Sequence, residues 1–204
     1  MMLPDTSNTA AGADAQVEDT QREGDRFTDL LAVTSPHIAL LAAWVATSGS
    51  LFFSQVLGWP PCELCWYQRI CMYPLALILP IGILRRDRRL HLYVLPLALI
   101  GAPISLYHYL LIKTNLFTPP RCTGGIPCTV DYLDWFGLIN IPFMALTAFL
   151  IIIVMMAAWA LLPAGASATE TTPARPARDW SSIAVFAIIA TVLAAFAVGS
   201  ALVI

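Results

Sequence analysis

Four of the five cysteines stand in two close pairs, Cys62/Cys65 and Cys122/Cys128, and these are the residues best suited to chemistry. In Cys62-Glu63-Leu64-Cys65 the two thiols are spaced to close a small disulfide. A thiol that opens a helix has its thiolate stabilised by the helix N-terminus. Pro60-Pro61 before the pair and Trp66-Tyr67-Gln68-Arg69 after it predict that Cys65 sits near the first turn of a helix. Arg69 then falls one turn beyond Cys65 on the same face. A cation there lowers the thiol pKa or holds an anionic or carbonyl-bearing ligand; the plainer reading is a structural disulfide beside a snorkelling arginine. The second pair lies in Pro119-Pro120-Arg121-Cys122-Thr123-Gly124-Gly125-Ile126-Pro127-Cys128. Gly124 and Gly125 allow the tight turn that brings its sulfurs together. A short exposed ring is open to thiolate attack, although read alone it is equally a loop staple.

The elements that position these pairs are apolar. Of 204 residues, 58% are hydrophobic and 12% charged, against roughly 45–50% and 25% in soluble domains. The mean hydropathy of +0.74 agrees. This composition excludes a water-facing surface, and a net charge of −2 argues against a nucleic-acid partner. Five apolar runs cover about His37–Leu57, Trp66–Leu84, Leu92–Ile112, Leu138–Leu162 and Ser182–Ile204. With no water in lipid to satisfy backbone groups, each must be a helix. Pro74, Pro80, Pro96, Pro103 and Pro142 lie in or near these runs, where membrane helices tolerate them. The expected fold is an all-α integral membrane protein, a four-helix transmembrane bundle with an appended fifth transmembrane helix. Residues 1–35 read as a disordered acidic cytoplasmic tail, 36–162 as the bundle, 163–181 as a flexible linker and 182–204 as the additional helix. With neither a basic start nor an apolar stretch, residues 1–35 are not expected to act as a secretory signal.

Eight of the eleven Lys and Arg residues fall on one side of this arrangement, four of them in Arg85-Arg86-Asp87-Arg88-Arg89. The positive-inside rule makes that side and the N-terminus cytoplasmic. Both cysteine pairs then face the oxidising exterior, where disulfides persist. Exchange between two such pairs can carry electrons from a mobile pair to a fixed one. The fixed pair must still lose two electrons, and a lipid-soluble acceptor beside Cys65, a quinone being the natural candidate, would take them. Zinc is a weak competing use of the four thiols, and no metal site is expected.

His108, in Tyr107-His108-Tyr109, falls about one turn inside the membrane interface. An ionisable group there is functional by default, so His108 either donates to a quinone carbonyl, or moves its protons, or makes a helix–helix hydrogen bond. Cys71 has no partner in sequence and reads as a packed apolar thiol. Asp131 and Asp134 alternate with Tyr132, Trp135 and Phe136 in what reads as a short amphipathic surface helix with an anchoring aromatic belt.

Together these residues resemble the disulfide bond formation protein B (DsbB) family. The resemblance rests on Cys62-Glu63-Leu64-Cys65-Trp66-Tyr67-Gln68-Arg69 before an apolar helix, on Tyr107-His108-Tyr109, and on Cys122-Thr123-Gly124-Gly125-Ile126-Pro127-Cys128 before Trp135-Phe136-Gly137. It is strongest to the BdbC-type branch, whose second pair encloses only five residues, and covers roughly residues 37–162. The resemblance implies a quinone-dependent protein-thiol oxidase of the bacterial inner (cytoplasmic) membrane, using ubiquinone or menaquinone, whose partner is an extracytoplasmic thioredoxin-fold thiol oxidase. Cys62, Cys65, Cys122 and Cys128 are then catalytic, with Cys122 attacked by the partner, Cys128 exchanging with Cys62, and Cys65 facing the quinone. Arg69 and His108 are then quinone-binding. The fifth helix and the acidic tail lie outside the resemblance. Two rival readings stand beside it: a vitamin K epoxide reductase-like quinone reductase, which carries its fixed CxxC late in the bundle, and a non-enzymatic scaffold stapled by inert disulfides. Transport is weakened by the lack of an intramembrane acid.

Overall fold

The computed structural model of the chain describes residues 7–114, 117, 126–161 and 177–203. Among the described residues the α-helices are α1 (Ser7–Leu51), α2 (Glu63–Arg85), α3 (Leu90–Lys113), α4 (Ile141–Leu161) and α5 (Ala177–Val203). A π-helical segment, Phe52–Val56, continues α1. Each helix contains a stretch long and apolar enough to cross a membrane, beginning at Thr28 in α1. The chain is an all-α, multi-pass membrane protein.

Two boundaries differ from those expected. Helix α1 reaches back to Ser7, through the segment whose composition predicts disorder, so the polar stretch continues the first membrane helix instead of ending before it. Helix α5 begins at Ala177, inside the expected linker. Composition marks where apolar residues begin, but a helix already nucleated by an apolar segment extends into flanking Ala, Gln and Glu at little cost.

The α2–α3 connection is a tight turn. Arg86 takes a left-handed conformation (φ 52°) and its N–H donates to Gly82 O and Ile83 O, ending α2. Asp87 accepts from the Arg89 N–H at 2.8 Å. This holds the four arginines at one end of the bundle, opposite the cysteine end.

The core runs between α1, α2, α3 and α4 and contains Leu40, Leu75, Leu79, Val94, Phe149, Ile152 and Met156. Lipid tails are as apolar as these side chains, so close packing between helices, with interhelical hydrogen bonds, supplies the cohesion. Gly101 of α3 shows it: any Cβ there would overlap the Phe149 ring of α4. Trp44 Nε1 donates to Ala76 O at 3.0 Å, a polar tie between α1 and α2. Pro74 and Pro80 lie within α2, and Pro96 and Pro103 within α3. Pro142 takes the first turn of α4, where a missing N–H costs nothing. Asn140 caps that turn, its Oδ1 accepting from the Phe143 N–H at 3.0 Å.

Candidate functional site

Helix α2 opens immediately after Cys62, and the thiol itself is the cap: Cys62 Sγ accepts from the Cys65 N–H at 3.4 Å. The expectation had Cys65 as the thiol favoured by the helix N-terminus. The structure gives that role to Cys62, because the extended backbone of Cys62 (φ −73°, ψ 174°) turns its side chain onto the first free N–H groups. The two sulfurs are 3.0 Å apart as free thiols.

Cys62 looks toward α3. Its Sγ lies 3.7 Å from His108 Nε2, which also donates to the Cys128 carbonyl oxygen at 3.1 Å. Gln68 Nε2 donates to His108 Nδ1 at 3.0 Å, which fixes the neutral tautomer with its proton on Nε2. His108 and Gln68 are both buried. Cys62, Cys128 and Leu111 form a single buried cluster, with Leu64, Cys65 and Ile126 against it. Cys128 is in a disulfide; Cys122, Arg121, Gly124 and Gly125 lie outside the described residues. The Cys62 thiol is pulled well below its ordinary value, first by its hydrogen bond with Cys65, against the opposing effect of burial, and then by the hydrogen bond from His108 and by the Cys65 N–H.

Cys65 looks the other way. It lines a cavity of about 470 Å³ between α1, α2 and α4. Most of the wall is apolar, with Ala46, Met72, Met144 and Phe149 among its residues, and the polar groups gather where Cys65, Gln68 and Arg69 meet. Arg69 donates to Ser50 O at 3.1 Å and stacks its guanidinium 5.3 Å above the Trp66 ring. Arg69 Nε is buried without a hydrogen-bond partner, a donor left for a ligand. A flat, carbonyl-bearing molecule with an apolar tail fits this combination of wall and donor. His108, expected beside such a carbonyl, is not among the residues of the cavity wall; its Nε2 meets Cys62 Sγ and the Cys128 carbonyl oxygen.

Sequence reasoning missed Gln68, whose signal was present in its spacing, three residues after Cys65 and thus on the same side of the helix. The aromatic wall of the cavity was missed too. Phe53 of the π segment stacks on Trp59 (5.5 Å, 11°), which stacks on Tyr132 (5.5 Å, 12°). The amphipathic helix expected around Asp131–Phe136 is not formed. A tight turn stands there, with Trp135 bridged to Ile139 and with Phe136 and Gly137 both at positive φ. Lys113 at the end of α3 reaches Asp131 (3.2 Å) and Asp134 (2.8 Å), and three groups satisfied this way need no helix. Cys71 is buried in the core, as expected.

A dithiol with Cys62 buried and Cys65 half-buried, in contact with a second cysteine segment in a membrane helical bundle, defines a membrane disulfide oxidoreductase. The disulfide bond formation protein DsbB family matches residues 34–161, and the chain belongs to it, in the BdbC-type branch. Disulfide bond formation protein C of Bacillus subtilis is 52% identical over 124 residues, which are 58% of this chain and 90% of that protein. The probable disulfide formation proteins C of Bacillus cereus (50% over 121 residues; 57% and 87%) and Halalkalibacterium halodurans (53% over 116 residues; 56% and 84%) are similar in the same region. No solved structure matches the chain.

Proposed function

We propose that this protein reoxidises an extracytoplasmic thioredoxin-fold thiol oxidase and passes the two electrons, through the Cys122/Cys128 and Cys62/Cys65 pairs, to a membrane quinone. The observation that carries the reading is the position of the first pair, between Cys128 and His108 on one side and a cavity with an unpaired arginine donor on the other. The cysteine end faces the cell exterior, which the arginine-rich turn at the opposite end supports.

The exchange steps balance as follows. A partner thiolate attacks Cys122, forming a mixed disulfide and releasing Cys128 as a thiolate. Cys128 attacks Cys62 of the oxidised first pair, and Cys65 leaves. The partner's second thiol displaces Cys122 and closes the partner's disulfide. Cys122 then attacks Cys128, restoring the second disulfide and releasing Cys62. His108 Nε2–H stabilises that departing sulfur, and Gln68 keeps the proton on the correct nitrogen. The Cys62/Cys65 dithiol must finally give up two electrons and two protons, and a quinone bound in the cavity supplies the acceptor for both. Arg69 and Gln68 would hold its oxygens. A quinone ~100 mV more oxidising than the dithiol supplies roughly 4–5 kcal/mol.

The test is quinone reduction by the purified protein with a reduced thioredoxin-fold dithiol protein as donor, beside Cys65→Ser and Cys122→Ser. Turnover in wild type and loss in both variants is expected. Loss only in Cys65→Ser would remove the second pair from the path, and no turnover with any quinone or donor would leave a stapled scaffold.

A further inference from the structure

Helix α5 lies outside the residues shared with the family, yet it packs on α1. Ser181 meets His37 Nε2 at 3.2 Å near one end. Towards the other, Phe196 packs edge-on against Phe52 (6.2 Å, 82°). Both contacts pair residues equally far along the two helices, so α5 runs parallel to α1 and in register with it. At the second contact a Cβ on Gly199 would stand 3.3 Å from the Phe52 ring, so the glycine lets that ring sit down onto α5.

Phe52 is the first residue of the π segment, and its carbonyl accepts from the Leu57 N–H at 3.1 Å, the wide π-type bond. Short π segments are less stable than the α-helix and concentrate at functional sites. The next residue, Phe53, lines the cavity and meets Phe52 edge to face (6.3 Å, 72°). From Phe53 the stack continues through Trp59 to Tyr132, both also in the cavity wall. An α-helical register in this segment would turn Phe53 away from Trp59.

We infer that α5 is a positioning element for the cavity: by holding Phe52 it keeps residues 52–56 in the π register and so sets the aromatic wall against which the ligand packs. The inference rests on the cavity being the electron acceptor's site. Phe196→Leu removes the ring and keeps the bulk, Gly199→Leu pushes Phe52 off α5, and Phe196→Tyr retains the ring. Two readouts are taken on the full-length protein: steady-state kinetics with a short-tailed benzoquinone and the dithiol donor, and amide hydrogen exchange of residues 52–59 without quinone. The expected result in both leucine variants is faster exchange and a quinone KM raised roughly three- to tenfold. The donor KM and the kcat at saturating quinone stay unchanged, and Phe196→Tyr behaves as wild type. Unchanged exchange in both leucine variants overturns the inference, and so does faster exchange with an unchanged quinone KM. If wild type reduces no quinone, the proposed function fails by itself, while the exchange measurement still decides whether α5 fixes this wall.

Discussion

The two sides of the first turn of α2 are built to different rules. On the α3 side, Cys62, Gln68, His108 and the Cys128 carbonyl make a polar cluster in which each group has a partner. On the α1–α4 side, Cys65 opens on an apolar cavity where Arg69 Nε has none. A satisfied network fixes geometry and electrostatics, whereas an unsatisfied donor in an apolar wall invites a ligand. One dithiol thus joins a side suited to thiol exchange and a side suited to binding an acceptor.

Replacing either thiol is the most severe way to break the comparison. Cys62→Ser and Cys65→Ser should both abolish quinone turnover, but for different reasons. In Cys65→Ser the remaining Cys62 thiolate still meets Cys128, so a Cys62–Cys128 cross-link should accumulate, visible by mass spectrometry after non-reducing digestion. In Cys62→Ser no Cys65–Cys128 link should form, because Cys65 faces the cavity. Its appearance would show that the two sides are interchangeable.

His108 comes next. Cys62 is held below its ordinary value, first by its hydrogen bond with Cys65 and then by His108, which favours its thiolate. His108→Ala should raise the midpoint of Cys62 alkylation, followed residue by residue with iodoacetamide from pH 3 upward, and cut turnover by roughly 10²-fold. Stability carries the same sign. The folded Cys62 thiol titrates below its ordinary value of 9.0, so its contribution to the stability of the reduced bundle is present above that value and is lost as pH falls through the lowered folded one. In His108→Ala the acid-side loss begins at higher pH, readable in thermal melts of the dithiol form. An unmoved alkylation midpoint would reduce His108 to a packing residue.

Arg69 tests the other side. Arg69→Met keeps the stem over Trp66 and removes the donors, so the quinone KM should rise about tenfold, the cost of one charge-assisted hydrogen bond of ~1.5 kcal/mol. Cys62 alkylation should not change. If it moved instead of KM, Arg69 would belong to the thiol cluster.

Much of this was legible in sequence. Apolar runs placed α2, α3 and α4 within a few residues, because lipid makes hydrophobicity and helicity the same signal. Cys62, Cys65, Arg69 and His108 were legible because intramembrane or interfacial polar groups stand out against an apolar chain. What sequence did not give was direction. Sequence assigned the helix-terminal N–H to Cys65, and only the extended backbone of Cys62 shows that its own sulfur accepts that bond. His108 was singled out by its polarity in an apolar helix, but polarity does not say which neighbouring residues a side chain meets. The turn at Trp135–Ile139 was hidden because aromatic–acid alternation describes an amphipathic helix and an ion-paired loop equally well.

The smallest expected effect concerns that loop. Lys113 ties Asp131 and Asp134 to the end of α3, and the tied segment follows directly on Cys128 and carries Tyr132 of the cavity wall. The pairs sit at the rim, with Asp134 about half exposed, so solvent and side-chain entropy take back most of the Coulomb attraction. Lys113→Ala should therefore raise the donor KM only about twofold, an effect that shrinks as salt is added to the wild type. The direction matters more than the size. Backbone hydrogen bonds between Trp135 and Ile139 and the stacking of Tyr132 on Trp59 hold the cavity side of the loop independently of Lys113. The quinone KM should stay where it is. A variant that moved both constants together would mean that the loop couples the exchange side to the acceptor side, and that the division of labour across α2 is narrower than its first turn suggests.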